Sequence, residues 1–197
     1  PLAPGEEEEL LEFARRELPR LYELLEHLRM RDPGRFPQRL AEHAPRLRHF
    51  RRIHEMSPQL AGIVRDHADN AFKLHRAARR AHHTPPDSPQ RAEIVQTMRS
   101  LVLANLELEI RAADLLAELL DQHRDARVAE RTTALLAGES PASEEAAALA
   151  PLLEEYRMAA SEAERVAIRA QIESLLSKQA ERETAALRER AERMRET

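Results

Sequence analysis

The chain has no cysteine and no tryptophan, and among its 197 residues only four glycines, four phenylalanines and two tyrosines. Lack of cysteine excludes disulfides, thiolate metal sites and cysteine nucleophiles. The isolated glycines at 5, 34, 62 and 138 cannot build a glycine-rich phosphate loop, and there is no G-x-S-x-G elbow. No apolar run approaches the roughly 18 residues of a membrane-spanning helix. Carboxylates are plentiful, but they alternate with arginines as helix-surface charges, so no acid–base pair stands apart. The sequence therefore offers no catalytic residues, and the expectation is a protein that is not an enzyme.

What remains is 42% apolar residues, mostly leucine and alanine, and 34% charged residues, mostly arginine and glutamate. These are strong helix formers, whereas the β-branched and aromatic residues that favour strands are scarce. The fold expected is all-α: elongated antiparallel helical hairpins or a bundle, with long coiled-coil-like helices.

Four capping residues followed by proline punctuate the chain: Asp32-Pro33, Ser57-Pro58, Ser88-Pro89 and Ser140-Pro141. Each puts an oxygen at an N-cap and a proline at the first helical position, where its missing N–H is no loss. Pro19 should break or kink the first helix. The helices expected are 6–30, 33–55, 58–83, 89–137, 142–159 and 161–195, with Pro37, Pro45 and Pro151 as further possible kinks. They group into a flexible leader (1–5), an N-terminal hairpin (6–56), a long central hairpin (57–139) and a C-terminal hairpin (140–197), forming one continuous helical domain. "SPQRAEIVQTMRSLV" from Ser88 and "EAERVAIRAQIESLL" from Glu162 align as a faint internal repeat.

The helix that follows Ser88 carries two apolar series. Ile94, Met98, Leu101, Asn105, Leu108, Ala112, Leu115 and Leu119 alternate in steps of four and three, as in a coiled-coil seam. Leu103, Leu106, Ile110, Ala113, Ala117 and Leu120 do the same on nearly the opposite side. A surface helix needs one apolar face, so a second element, or a second subunit, must cover the other. The second series is therefore the expected self-association face. Asn105 either sets register within the first seam or lies at a loosely packed edge.

Charge is unevenly placed. Residues 1–14 carry five acids and no base, residues 15–91 carry 17 bases and nine acids, and residues 92–197 carry 14 bases and 21 acids. A basic block followed by an acidic one suggests pairing of the two, within or between chains. Arg46, Arg48, Arg51 and Arg52 form the densest basic patch, but the stacking aromatics of single-strand binding are nearly absent, and no nucleic-acid partner is expected.

Seven histidines lie between residues 43 and 83, and "HRAARRAHHTPPDSPQ" at 75–90 concentrates three of them before a proline-rich turn. No two histidines have the three- or four-residue spacing that lets one helix present both to a metal, and no Glu-x-x-His of carboxylate-bridged bundles occurs. The reading with no cofactor is preferred. Its alternative is a site for Ni, Cu, Co or Zn from His75, His82, His83 and Asp87.

Successive α-hairpins, the helix start "MSPQLAGIV" at 56–64, the histidines of the connecting region and the lack of cysteine resemble the periplasmic α-hairpin stress proteins and heavy-metal sensors of the CpxP, Spy, ZraP and CnrX type. The resemblance covers residues 56–137 at most, and "MSPQ" stands where that family carries a Leu-Thr-x-x-Gln box. It implies an exported, dimeric helical hairpin acting as a chaperone or metal-responsive sensor. The start at Pro1 fits a removed signal peptide, and an exported or periplasmic location is expected. The function expected is helix-mediated association, with another copy or another helical protein.

Overall fold

A computed structural model describes Leu2 and residues 5–196; of Ser143 and Glu144 only the backbone is considered. Among the described residues there are eight helices and no strand. They are α1 (Glu6–Glu17), α2 (Pro19–Arg31), α3 (Phe36–Met56), α4 (Pro58–His82), α5 (Pro89–Gln122), α6 (Arg124–Leu136), α7 (Ser143–Met158) and α8 (Glu162–Arg195). The chain divides into two compact units, residues 1–108 and 109–197. Of the expected leader, residues 1, 3 and 4 lie outside the described residues, while Leu2 packs against the first core.

In the first unit, α1 opens with Glu6 to Glu9 and closes with Arg15 and Arg16, the order that complements a helix dipole. Pro19 ends it. The residue before a proline is pushed out of the α region, and Leu18 sits at φ −133°, ψ 59°, so the expected kink is a full break. Leu10, Ala14, Leu25, Phe36, Leu40 and Leu47 form the heart of the first core. Phe13 and Phe50, with ring centroids 6.0 Å apart, join Ala61 of α4 in a second small core. Arg48 donates to Glu6 at 2.5 Å and Arg51 to Glu9 at 3.2 Å, tying α3 to α1.

Two of the four proline starts behave as expected. Ser57 Oγ accepts from the Leu60 N–H at 3.2 Å, and Ser88 Oγ accepts from that of Arg91 at 3.2 Å. The other two need correction. Asp32 accepts from the Arg35 N–H at 3.3 Å, but this bond closes a turn, and α3 begins only at Phe36. After Ser140-Pro141 the helix starts at Ser143, its first turn held by Glu145 accepting from the Ala142 N–H at 3.1 Å. Pro45 and Pro151 remain inside unbroken helices. The expected 89–137 helix is interrupted at His123 (φ −104°, ψ 9°), where neither glycine nor proline marks the break.

In the second unit, α6, α7 and α8 enclose Leu135, Leu149, Leu153, Ile172 and Leu176. Gly138, at φ 105°, turns the chain out of α6 with the two crossed hydrogen bonds of a Schellman end, Glu139 N to Ala134 O and Gly138 N to Leu135 O. Arg131 then fixes the turn, reaching Glu139 (3.2 Å), the Ser140 carbonyl (3.3 Å) and Glu145 (3.1 Å). Ser161 and Glu164 form a reciprocal capping box at the start of α8. The two helices that open the sequence repeat, α5 and α8, are each 34 residues long.

α8 runs antiparallel to the C-terminal part of α5 and to α6. Asp114 meets Arg195, Asp121 meets Arg188 and Arg124 meets Glu181, the partners descending as α5 and α6 ascend. Asp121 accepts from both Arg124 and Arg188. The hydrogen bond from Arg124, joined by that from Arg188, holds its carboxyl below the usual carboxylate range.

Two measurements test this picture. Ile172→Ala, at a fully buried position, should cost about 2–5 kcal/mol in urea unfolding, against about 1 kcal/mol for loss of the Ser57 cap in Ser57→Ala. Equal effects would mean that the second core is not packed as described. Asp121→Asn should lower the thermal midpoint at neutral pH. Because the folded carboxyl is depressed, its contribution is complete above the unfolded value of about 3.9 and fades as pH falls through the folded one. The variant and wild-type midpoints should therefore converge on acidification, and a gap independent of pH would count against the paired carboxylate.

Candidate functional site

The stretch 75–90 is a hairpin turn built from its own backbone. α4 ends at His82; Thr84 Oγ1 donates to the Arg80 carbonyl at 2.7 Å, and Ser88 Oγ donates to that of Pro85 at 2.8 Å. Arg91, in the first turn of α5, reaches back to the carbonyls of Ala81 (2.5 Å) and Thr84 (3.0 Å). The cation that satisfies the end of α4 thus comes from the next helix, not from the arginines and histidines of α4 itself. A basic side chain three residues after Ser88 was the available signal.

His75, His82, His83 and Asp87 are all exposed, and the structure does not bring them together as a metal site. Among the described residues no group of three or more His, Asp or Glu side chains is placed to hold a metal. The reason lies in helix geometry: His75 is seven residues, about 10 Å, below His82 along the helix. His82 and His83 touch edge to face with centroids 5.1 Å apart, as adjacent residues around a helix end do.

Of the expected basic patch, Arg48 and Arg51 are committed to Glu6, Glu9 and Glu55. A groove of about 510 Å³ in the second unit is lined by Arg127, Arg131, Glu139, Glu145 and Leu176 among others. Its arginines are already paired, Arg127 with Glu183 and Arg131 with Glu139 and Glu145, so its charges serve the fold.

The apolar faces of α5 give the clearest candidate. On the first seam Ile94 and Leu108 are buried, while Met98, Leu101 and Asn105 are half-buried. Asn105 Oδ1 is itself buried and has no hydrogen-bond partner among the described residues. On the second face, within the first unit, Leu103 is 60% exposed and its neighbour Val102 53% exposed; Leu106 is half-buried. Within the second unit, Ala113 and Ala117 are buried, and Ile110 and Leu120 half-buried. The α5–α8 ion pairs put Ala117 about level with the fully buried Ala191. Part of the expected association face is thus covered within the chain, and its N-terminal end, Leu103 with Val102, is open.

α4 runs antiparallel to α5. Phe72 lies ten residues before the end of α4, and Arg99 ten residues after the start of α5, so the two stand at about the same height on the hairpin. Phe72 is 51% exposed, with the Arg76 guanidinium 6.0 Å from its ring centroid. Sequence periodicity missed Phe72, because an isolated aromatic between charged residues belongs to no apolar series.

Titration of the full chain with Ni or Zn should give no site tighter than about micromolar, a level of roughly 8 kcal/mol. A tighter site that His82→Ala removes would require a rearranged hairpin turn. Among the described residues no helix is long and apolar enough to cross a membrane. No protein-family model, no curated protein and no solved structure matches the chain, so the likeness to periplasmic hairpin proteins rests on the residues quoted for it.

Proposed function

We propose that this is a non-enzymatic interaction protein whose all-helical fold presents the open stripe Val102, Leu103 and Leu106 of α5 to a second helical surface, in the first place that of another copy. The observation that carries this reading is the exposure of two large apolar side chains on a helix whose other face buries Ile94 and Leu108. Isolated exposed leucines are ordinary; an exposed Val-Leu pair continuing a buried apolar series is a face that ends in solvent. Export enters the proposal only through the likeness to periplasmic hairpin proteins.

Magnitudes limit what this stripe does alone. Covering Leu103 on both copies of a two-fold pair contributes on the order of 2–4 kcal/mol, whereas micromolar dimerisation needs about 8 kcal/mol. The stripe is a centre of association that needs flanking contacts. The metal-responsive alternative would require His75, His82, His83 and Asp87, all exposed, to converge on one ion.

Leu103→Glu places a charge at the centre of the stripe and should weaken self-association at least about tenfold with unchanged helical circular dichroism. Sedimentation velocity at micromolar concentration reads the effect. A wild-type chain that stays monomeric well above that concentration would remove self-association from the reading.

A further inference from the structure

The last three turns of α4 carry a cluster of positive charge with no ion pair among the described residues. Lys73, Arg76, Arg79 and Arg80 are all exposed, and among the described residues none pairs with a carboxylate; Arg76 lies over the Phe72 ring instead. Elsewhere in the first unit arginines find acids readily, as Arg20 does with Asp69 and Arg39 with Glu42. Steps of three and four bring Lys73, Arg76 and Arg80 onto one stripe, and Phe72, Arg76 and Arg79 onto the next. The result is a cationic band with one exposed aromatic at its edge, about 10 Å long.

The complementary surface lies in the same sequence. Residues 109–197 carry 13 bases and 19 acids, net −6. Residues 139–164 alone hold seven acids against the single base Arg157, also net −6. There Glu154, Glu155 and Glu162 are exposed, and Met158, between them, is 76% exposed. Glu155 has no ion pair among the described residues, while Glu154 and Glu162 have only short-range pairs, 3.4 Å to Arg157 and 3.9 Å to Arg165. One surface is thus basic around an exposed phenylalanine, and the other acidic around an exposed methionine, a pair of side chains that pack favourably.

We infer that the basic end of α4 docks on the acidic α7–α8 turn of a second copy of this chain, Lys73, Arg76, Arg79 and Arg80 facing Glu154, Glu155 and Glu162. In a two-fold pair each copy supplies both surfaces, so the contact forms twice and closes. This rests on the self-association reading. An anionic membrane is the weaker occupant. It would need a broad apolar face beside the cations, and among the described residues Phe72 is the one large exposed apolar side chain on α4.

The test is a charge swap read by sedimentation of the full chain, with circular dichroism to confirm retained helix. Reversal of Lys73, Arg76, Arg79 and Arg80 to Glu, or of Glu154, Glu155 and Glu162 to Lys, should each weaken association at least about tenfold. A mixture of the two variants pairs opposite charges at both contacts, one as in the wild type and one with the signs exchanged, and should form heterodimers. Raising salt from about 0.05 to about 0.5 M should weaken the wild type. Wild-type association by either reversed variant, absence of heterodimers from the mixture, or a strictly monomeric wild type would overturn the inference. Binding of a monomeric wild-type chain to phosphatidylserine vesicles, lost on reversal at α4, would overturn it in favour of a lipid surface. If Leu103→Glu abolishes association and the reversals do not, the α5 stripe stands and this docking falls. If the reversals act with restoration and Leu103→Glu does not, the docking stands and the stripe falls.

Discussion

A long helix with apolar side chains on opposite sides cannot be satisfied by one neighbour, and much of this fold follows from having α5 at its middle. Burial of each leucine contributes about 1.5–3 kcal/mol, so an uncovered face forgoes much of a stability that is itself small. The second unit meets the demand with α8, as long as α5 and antiparallel to it. The first unit meets it on one side, where Ile94 is buried, and leaves Val102 and Leu103 in solvent. The same physical requirement that organises one unit is left incomplete in the other, and it is this incomplete stretch that the proposed function takes as an interaction surface.

Alanine is prominent among the buried residues of α5 and α8: Ala113, Ala117, Ala180 and Ala191 are all buried. Such small side chains offer few knobs to specify where one helix sits along another. Arginine–carboxylate pairs add long-range ties: Asp114–Arg195, Asp121–Arg188 and Glu109–Arg190 join α5 to α8, and Arg124–Glu181 joins α6 to it. Exposed pairs of this kind contribute roughly 0–1 kcal/mol each. Burial therefore provides the stability.

The parts of this fold that could be read beforehand are those set by neighbours in sequence. Ser57 and Ser88 cap helices because the donor they bind is three residues away, and Pro19 breaks a helix because it acts on Leu18. Asp32 and Ser140 carry the same local sign and start no helix at once: the Asp32 carboxylate closes a turn ahead of α3, and Glu145, not Ser140, holds the first turn of α7. The two apolar series on α5 were legible, but not their separate fates. Cover for Ala117 comes from α8, more than sixty residues later, and no spacing within α5 announces it. The histidines of 75–83 stood out by composition alone, and their exposure depends on how α4 packs, which their spacing does not encode.

Of the 31 basic residues all but Lys73 and Lys178 are arginine, and the structure gives that bias a use. A guanidinium presents several donors in a planar fork, whereas an ammonium is a compact point charge. Arg91 holds two carbonyls across the hairpin turn, Arg124 joins Asp121 to Glu181, and Arg131 gathers Glu139, Glu145 and a carbonyl around the α6–α7 turn. Each links segments that backbone hydrogen bonding cannot reach, because helices satisfy their own backbone. Both lysines are exposed and outside these junctions. In a chain with few glycines, few aromatics and no cysteine, turns and helix registers need side chains that bind more than one acceptor, and arginine is the residue that supplies them. Among the described residues Arg79 and Arg80 hold no carboxylate, and their forks remain exposed donor sets.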